Sequence, residues 1–396
     1  MPLLPVRALV VDDDPILLAL LSAFLESRGY AVSQSGDGTE ALERIATGDF
    51  NLVVTDRNMP RMDGLALCRA IRARPEAGYV YCIMLTGSFD EASLVAAMEA
   101  GVDDFVAKPL RPAELGARLR AAERVLALEA QMASRNLELT RAYAQLSRDL
   151  EMARGLQLGQ LPPPQDFGGY RFDGLYEACS FVGGDVYDHF AVGDRLLAFY
   201  LADVSGHGVA AAMMAVHAQH QLRSLSWQAV EEAQAGVGDL GALAAGILGA
   251  YNQRVLQMDQ DGMYLTMVFG LLDRATGETA LVHAGHPPVL YSAAAGHPFE
   301  PVGEGSLPLG ILAGVQYEAR TLRMPPGSRL ALYSDGITDC GNAAGEAFGT
   351  ARLRELLGRC RAVPLDAVRD AVLQALRGWR GEALEDDVTL LLLESH

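Results

Sequence analysis

The segment FVGGDVYDHFAVGDRLLAFYLADVSGHG, residues 181–208, contains two short apolar runs that each break at an acidic residue, Asp185 and Asp203. Glycines flank both carboxylates, and glycine permits the tight turns that bring main chain and carboxylate to one ion. Two further aspartates, Asp335 and Asp386, adjoin strand-like segments far downstream. Four such acids at strand ends would repel one another unless a cation lay among them. Carboxylate and carbonyl oxygens suit Mg²⁺ or Mn²⁺, so the pattern predicts a divalent metal site.

Length, charge and cysteine content exclude several classes of protein. The 396 residues exceed one typical domain and predict two or three, and half of them are apolar, which is enough for well-packed cores. A formal net charge of −18 argues against a nucleic-acid partner and against an anionic membrane surface. Five scattered cysteines without a CxxC spacing predict reduced thiols and a cytoplasmic location. Because the first apolar run ends at Asp12, we expect neither a signal peptide nor a membrane span.

Short apolar runs alternate with helical patterns over residues 1–118, and polar residues follow or end each run. The runs are ALVV at 8–11, LVVTD at 52–56, IMLTG at 83–87 and FVAKP at 105–109. Strands that alternate with helices predict a parallel sheet, whose ligands bind beyond the carboxyl ends of the strands. We therefore expect Asp12 and Asp13 to hold a Mg²⁺ ion beside Asp56. Thr86 and Lys108 would contact a phosphoryl group carried on the Asp56 carboxylate.

This ordered set resembles the response-regulator receiver domain of two-component signalling. The resemblance implies an α/β fold with a doubly wound five-stranded parallel sheet, and a cognate histidine kinase as partner. Asp56 would be the phospho-acceptor, and Asn58 would give a backbone carbonyl to the metal. The implied switch residues are Thr86, Lys108 and Phe105. Asp14, where the family often has Glu, is expected to cap the helix that follows it.

The sequence of residues 119–164 predicts a long helical coiled-coil linker. They are rich in good helix formers, and Pro162 is the first proline among them. Two interleaved series with the 3,4 spacing of a coiled coil are Val125, Met132, Leu139, Leu146, Ala153 and Asn136, Tyr143, Leu150, Gln157. Asn136 and Gln157 interrupt the apolar seam, and a polar residue there often fixes the register. We expect a parallel homodimer through this helix, and the alternative is a helix that packs on its own two domains.

Residues 165–396 predict an α+β layered sandwich, because strand-like runs in series and helical runs in blocks are typical of antiparallel sheets flanked by helices. The strand-like runs are 170–178, 196–204, 263–273, 279–285, 287–292, 328–335 and 388–393. The helical runs are 209–224, 240–258, 351–359 and 365–379.

Five ordered motifs lie in this third segment: GGDVYD at 183–188, ADVSGHG at 202–208, AGHPP at 284–288, LYSDGITD at 332–339 and DDVTLL at 386–391. With them the segment resembles the metal-dependent PPM (PP2C-like) serine/threonine phosphatases of the bacterial sporulation and sigma-factor regulatory branch. The resemblance implies that Asp203 bridges two Mn²⁺ or Mg²⁺ ions. Asp335 and Asp386 would complete one ion, and Asp185 with the Val204 backbone carbonyl would serve the other. All four carboxylates would then be catalytic.

The two resemblances together imply a response regulator whose output is metal-dependent hydrolysis of phosphoserine or phosphothreonine on a protein. Phosphorylation of Asp56 would control it, and the implied substrate is an anti-sigma-factor antagonist. The alternative is a catalytically silent adaptor that binds a sigma factor or another regulatory partner through the phosphatase-like domain. The presence of all four acids favours the enzyme.

Several polar residues near the motifs have two interpretations. His207 is a candidate general acid, although a structural role is favoured. His283 and His286 form an HxxH that alone hints at zinc, but AGHPP is interpreted as a turn. Asp188 and Asp387 are expected outside the set of metal ligands, either close to it or on the surface.

Overall fold

The computed structural model describes residues 6–74, 78–87, 91–233, 238–258, 262–294, 296–303, 305–380 and 384–396. The chain divides into two compact units, Met1–Gln145 and Leu146–His396. Within the described ranges, every helix is too short or too polar to cross a membrane.

The first unit contains a sheet of five parallel strands, β1 (Arg7–Val11), β2 (Ala31–Ser35), β3 (Leu52–Asp56), β4 (Tyr81–Thr86) and β5 (Asp104–Ala107). Their order is β2-β1-β3-β4-β5. Between them come α1 (Pro15–Glu26), α2 (Gly38–Thr47), α3 (Gly64–Arg72) and α4 (Glu91–Glu99), and α5 (Pro112–Gln160) follows β5. Side chains of α1 and the start of α5 pack on one face, and those of α2, α3 and α4 pack on the other. The predicted doubly wound parallel sheet is confirmed.

The apolar runs of this unit are unbroken because both faces of the sheet are covered. Ala8 and Val10 lie in the core on one side of β1, and Leu9 and Val11 lie in the core on the other. Asp14 is the N-cap of α1, where its side chain accepts a hydrogen bond from the Ile16 N–H at 2.9 Å. The expected capping role of Asp14 is therefore confirmed.

The linker is one continuous helix, since α5 runs for 49 residues. Four residues of the predicted seam are largely exposed, namely Met132, Leu139, Tyr143 and Leu146. The end of the seam differs from the prediction. Gln157 is only 8% exposed and hydrogen-bonds to Gly183 of the second unit, so it is not available to a coiled-coil partner.

The second unit contains two antiparallel sheets. One has the order β14-β11-β10-β9-β8, and the other has the order β13-β12-β15-β16-β7-β6. The strands are β6 (Gln165–Asp166), β7 (Tyr170–Glu177), β8 (Val186–Val192), β9 (Leu196–Val204), β10 (Leu265–Asp273), β11 (Glu278–Ala284), β12 (Val289–Ser292), β13 (Glu300–Val302), β14 (Ala319–Arg323), β15 (Arg329–Tyr333) and β16 (Val388–Ser395). The helices are α6 (Val209–Glu232), α7 (Leu240–Gln257), α8 (Asp335–Thr338), α9 (Gly349–Arg359) and α10 (Leu365–Trp379).

Three apolar cores join these elements into layers. Side chains of α6 and α7 pack on the outer face of the first sheet, and those of α9 and α10 pack on the outer face of the second. The inner faces of the two sheets share the third core, to which Phe172, Phe199 and Leu391 contribute. The predicted α+β layered sandwich is confirmed.

In the second unit, two strands of five or more residues were not predicted. In β8, Asp188 and His189 interrupt the apolar pattern, but Asp188 is fully buried and accepts two 2.7 Å hydrogen bonds from Arg223 of α6. In β14 the sequence ARTLR is mostly polar because this strand lies at the edge of its sheet. Neither strand shows the apolar alternation that a half-buried strand usually has.

Candidate functional site

Three carboxylates of the first unit meet at the carboxyl ends of β1 and β3. The ligand oxygens of Asp12, Asp13 and Asp56 all lie within 4.8 Å of one another, and Asp12 and Asp56 are buried. The Lys108 Nζ, after β5, lies 2.6 Å from Asp56 Oδ1 and 3.3 Å from Asp12 Oδ2. Oxygen donors of this kind suit Mg²⁺, so the three acids fit the ion that a receiver domain uses.

The charges around Lys108 keep its side chain protonated. Burial alone would lower the pKa of the ammonium group, but its hydrogen bonds and its attraction to Asp56 and Asp12 raise that pKa above the usual value. Burial raises the pKa of Asp12, and the Asp14 N–H and the Lys108 charge oppose the rise only in part. A permanent positive charge is thus held against the Asp56 carboxylate.

The other predicted receiver residues lie at the end of β4, just after β3 and within β5. Thr86 ends β4, one residue after the Leu85 that pairs with Asp56, and its side chain is nearly buried. The Asn58 N–H donates to Asp56 Oδ2 at 3.3 Å. Phe105 lies inside β5 and packs against the core beneath α2, α3 and α4, so it is not part of the acidic cluster.

The four predicted acids of the second unit come from four separate segments. Asp185 precedes β8 and Asp203 is the last residue but one of β9. Asp335 begins α8 just after β15, and Asp386 lies two residues before β16. Because side chains alternate along a strand, Asp203 shares the inner face of β9 with Leu197, Phe199 and Leu201.

These carboxylates lie close enough for their charges to raise one another's pKa values. Burial, followed by the charges of Asp335 and Asp386, raises the pKa of Asp203 to about 7. Burial and the Asp203 charge raise the pKa of Asp185 well above its usual value. Burial and the Asp386 charge also raise the pKa of Asp335. Such a group is unfavourable while all members are ionised, and a divalent cation would remove the repulsion.

The spacing of this second group is wider than that of the receiver acids. Among the described residues, no three of its four carboxylates have ligand oxygens that all lie within 4.8 Å of one another. Three of them therefore do not surround one ion at this spacing. An ion held by Asp203, Asp335 and Asp386 together would require these three carboxylates to move closer to one another, and oxygen donors of this type fit Mg²⁺ or Mn²⁺.

Asp387 holds the backbone of the metal loop, which we define as residues 183–185. Its Oδ2 accepts hydrogen bonds from the N–H groups of Gly184 at 2.7 Å and Asp185 at 3.3 Å, and its Oδ1 accepts one from Cys179 N–H at 2.9 Å. The side chain is 5% exposed, so of the two positions expected for it, close to the acids or on the surface, it has the first. The Asp387 carboxylate points inward because three backbone N–H groups there need a hydrogen-bond acceptor.

Two hydroxyl side chains complete the support of the loop. The Thr389 hydroxyl donates to Asp185 Oδ2 at 2.5 Å. Ser334 Oγ donates to the Asp387 carbonyl at 3.1 Å and accepts from the Thr389 N–H at 3.0 Å. Sequence reasoning missed both residues. The predicted strand VTLLLL was the available signal. Successive side chains of a strand point to opposite faces, which places Thr389 on the inner face with Leu391.

The two glycines of the metal loop permit these close approaches. A Cβ on Gly183 would stand 2.1 Å from Asp387 Oδ2, and a Cβ on Gly184 would stand 2.8 Å from the Val204 carbonyl oxygen. Side chains are therefore excluded at both positions. The same short distance places the Val204 carbonyl directly beside the loop that carries Asp185.

The histidines near the motifs have different surroundings. His286 Nε2 donates to the Tyr333 carbonyl at 3.1 Å, which leaves Nδ1 to accept from the Thr266 hydroxyl at 2.7 Å. Burial lowers the pKa of His286 to about 3, so this imidazole is neutral and structural. His207 is exposed. Asp188 is buried in its ion pair with Arg223, so the surface alternative is excluded for it as well.

Two family models match the chain. Residues 8–120 match the response regulator receiver domain, and residues 193–396 match stage II sporulation protein E (SpoIIE). The second match covers more than half of the chain. The chain belongs to the SpoIIE family. This SpoIIE-family protein joins a receiver domain to a PP2C-like phosphatase domain, a type that depends on metal ions, generally Mg²⁺ or Mn²⁺.

Known proteins resemble the two parts of this SpoIIE-family protein separately. The SiaA-PP2C domain of Pseudomonas aeruginosa has the same fold, with a TM-score of 0.54 and 23% identity over 65% of this chain and 100% of that one. The DNA-binding response regulator MtrA of Mycolicibacterium smegmatis is 42% identical over 115 residues, 29% of this chain and 49% of that protein. The response regulator MprA of Mycobacterium ulcerans is 39% identical over 153 residues, 38% of this chain and 64% of that protein. The chain thus spans about half to two thirds of the length of these response regulators.

We expect Asp387→Ala to weaken Mn²⁺ binding by the second unit about 10- to 100-fold, because the N–H groups that fix the metal loop lose their acceptor. Isothermal titration of the full chain with Mn²⁺ measures this. Asp194→Ala, in the exposed turn before β9, removes the same charge and is the matched control. Both tryptophans, Trp227 and Trp379, lie in the second unit, so their fluorescence reports whether the variant is folded. A folded Asp387→Ala protein with wild-type affinity would contradict the role given to Asp387.

Proposed function

We propose that this protein is a response regulator whose output is the metal-dependent hydrolysis of phosphoserine or phosphothreonine on a protein. The observation that carries the proposal is the meeting of four carboxylates from four segments at one end of a PP2C-like sandwich, with the pKa of Asp203 raised to about 7. In an adaptor that only binds partners, four carboxylates that destabilise the fold in this way would serve no purpose.

The roles proposed for the chain's residues follow from their positions. Asp203 would be shared between two ions, Asp335 and Asp386 would complete one, and Asp185 with the Val204 carbonyl would complete the other. Ions bound there supply a water of lowered pKa and positive charge for the phosphoryl oxygens. Asp387 and Thr389 hold the metal loop, and the inner-sheet core below excludes bulk water from that side.

We further infer that the substrate is a phosphorylated protein of the anti-sigma-factor antagonist type. Membership of the SpoIIE family and the resemblance to the sigma-factor regulatory branch support this substrate class. If it is correct, kcat/KM on the intact serine-phosphorylated antagonist will exceed that on a phosphoserine peptide cut from it. Equal values would argue against recognition of the folded antagonist.

The enzymatic proposal predicts that Asp203→Ala lowers the phosphatase rate at least about 100-fold, because the carboxylate shared by both ions is lost. The rate is measured with Mn²⁺ on a phosphoserine protein and on p-nitrophenyl phosphate. Asp194→Ala is the matched control and should retain the wild-type rate. If wild type and Asp203→Ala have equal rates, the silent adaptor becomes the better interpretation.

Phosphorylation of Asp56 is proposed to control this output. A phosphoryl group on Asp56 would compete for the Lys108 ammonium, which now lies 2.6 Å from the carboxylate, and would change the contacts of the receiver. We expect beryllofluoride, a mimic of that group, to change the phosphatase rate about 5-fold or more. Asp56→Asn should abolish the response without changing the basal rate. A wild-type rate that beryllofluoride leaves unchanged would rule out the coupling.

A homodimer through α5 is proposed as the assembly. Met132, Leu139, Tyr143 and Leu146 are 56–71% exposed and recur at the 3,4 spacing that a second copy of the helix would cover. Leu139→Glu should convert a dimer to a monomer in sedimentation velocity, because a carboxylate would be buried in the seam. Leu137→Glu is the control, since Leu137 is also exposed but lies off the seam. A wild-type chain that sediments as a monomer at high concentration would exclude the dimer.

A further inference from the structure

The last turns of α5 contact the metal loop through the side-chain amide of Gln157. Gln157 Nε2 donates to the Gly183 carbonyl at 2.8 Å, and the Gly183 N–H donates to Gln157 Oε1 at 3.2 Å. One side chain thereby satisfies both polar backbone groups of a buried glycine. The Tyr176 hydroxyl adds a third hydrogen bond, to Gln157 Oε1 at 3.4 Å. The amide is therefore fixed in one orientation.

The helix end around Gln157 is anchored to the second unit. Gln219 of α6 donates to the Gln160 carbonyl at 2.8 Å. Leu161, just after the helix, packs against both the α6–α7 core and the core between the sheets. The residues of α5 from 128 to 146 are exposed, so beyond the buried start of the helix burial resumes only near this end. Gln157 belongs to the anchored part of the linker.

The metal loop is thus held from two sides. Asp387 accepts from the N–H groups of Gly184 and Asp185, while Gln157 pairs with Gly183. Neither glycine has a side chain that could hold the loop by packing, so hydrogen bonds to the backbone set its path. If the Gln157 amide were removed, a buried N–H and a buried C=O would lose their partners, which is unfavourable enough to displace the loop. Asp185 lies two residues further along the chain and would move with it.

We propose that Gln157 is a positioning residue for the metal ion held by Asp185, so that the linker helix sets the affinity of that ion through the Gly183 backbone. The inference rests on the proposed function only in taking Asp185 as a metal ligand. The same helix begins at Pro112, directly after the receiver sheet. Gln157 therefore ties the segment that leaves the receiver to the loop that carries a predicted catalytic carboxylate.

The experiment compares Mn²⁺ binding by full-length wild type, Gln157→Ala and Gln157→Leu, measured by isothermal titration. Asp203→Ala provides the reference in which the second-unit ions are lost, so that receiver binding can be subtracted. We expect both Gln157 variants to weaken second-unit binding about 10-fold or more. Gln131→Ala is the matched control, because Gln131 is an exposed residue of the same helix, and it should bind as wild type does.

A second measurement separates positioning from general loss of structure. The Mn²⁺ concentration for half-maximal phosphatase activity should rise about 10-fold in the Gln157 variants, while kcat at saturating Mn²⁺ returns close to the wild-type value. Fluorescence of Trp227 and Trp379 checks folding. Gln157→Leu preserves most of the side-chain volume, so it decides the outcome if Gln157→Ala does not fold.

Three results would contradict either the inference about Gln157 or the proposed function. Wild-type Mn²⁺ affinity in folded Gln157→Leu overturns the inference, because packing alone would then suffice. Weak binding in Asp203→Ala together with unchanged binding in both Gln157 variants also overturns the inference and leaves the proposed function intact. Unchanged binding in Asp203→Ala overturns the proposed function itself.

Discussion

Repulsion among the carboxylates of Asp185, Asp203, Asp335 and Asp386 is the constraint on which the second unit depends. Burial and the charges of neighbouring carboxylates raise the pKa values of these groups, and that of Asp203 reaches about 7. Without a cation, placing such groups together would destabilise the fold, because no interaction would compensate for their repulsion and lost hydration. The arrangement is reasonable if divalent ions bind there, and every hydrogen bond around the metal loop then serves to keep the ligands in place.

The sandwich brings these residues together through the simple alternation of its strands. Leu197, Phe199 and Leu201 face the core between the sheets, and the next residue on that face is Asp203. Thr389 stands in the same relation to Leu391 and Leu393 on the opposite sheet. The apolar core therefore ends where the polar site begins. A rigid core directly beneath the site limits how far its ligands can move.

The linker helix has two different surfaces along its length. Its middle section exposes apolar residues at coiled-coil spacing, whereas its end is buried in the second unit through Gln157, the Gln160 carbonyl and Leu161. A seven-residue repeat cannot distinguish a position that faces a second helix from one that faces a domain. For that reason Gln157 was expected in the seam and was found beside the metal loop.

The sequence by itself determined the elements with regular patterns: the parallel sheet of the first unit, the long helix, the layered sandwich, and the four acids beside strand-like segments. These follow from periods of 2 and 3.6 residues and from local turn chemistry, which a reader of the chain can see. Tertiary structure alone decided that Asp188 is buried, because its partner Arg223 lies 35 residues away. Tertiary structure likewise decided that Asp387 points inward to the Gly184 N–H, 203 residues away, and that Gln157 hydrogen-bonds to Gly183. A buried polar group is stable only when a partner satisfies it, and the position of that partner is set by the fold rather than by neighbours in sequence.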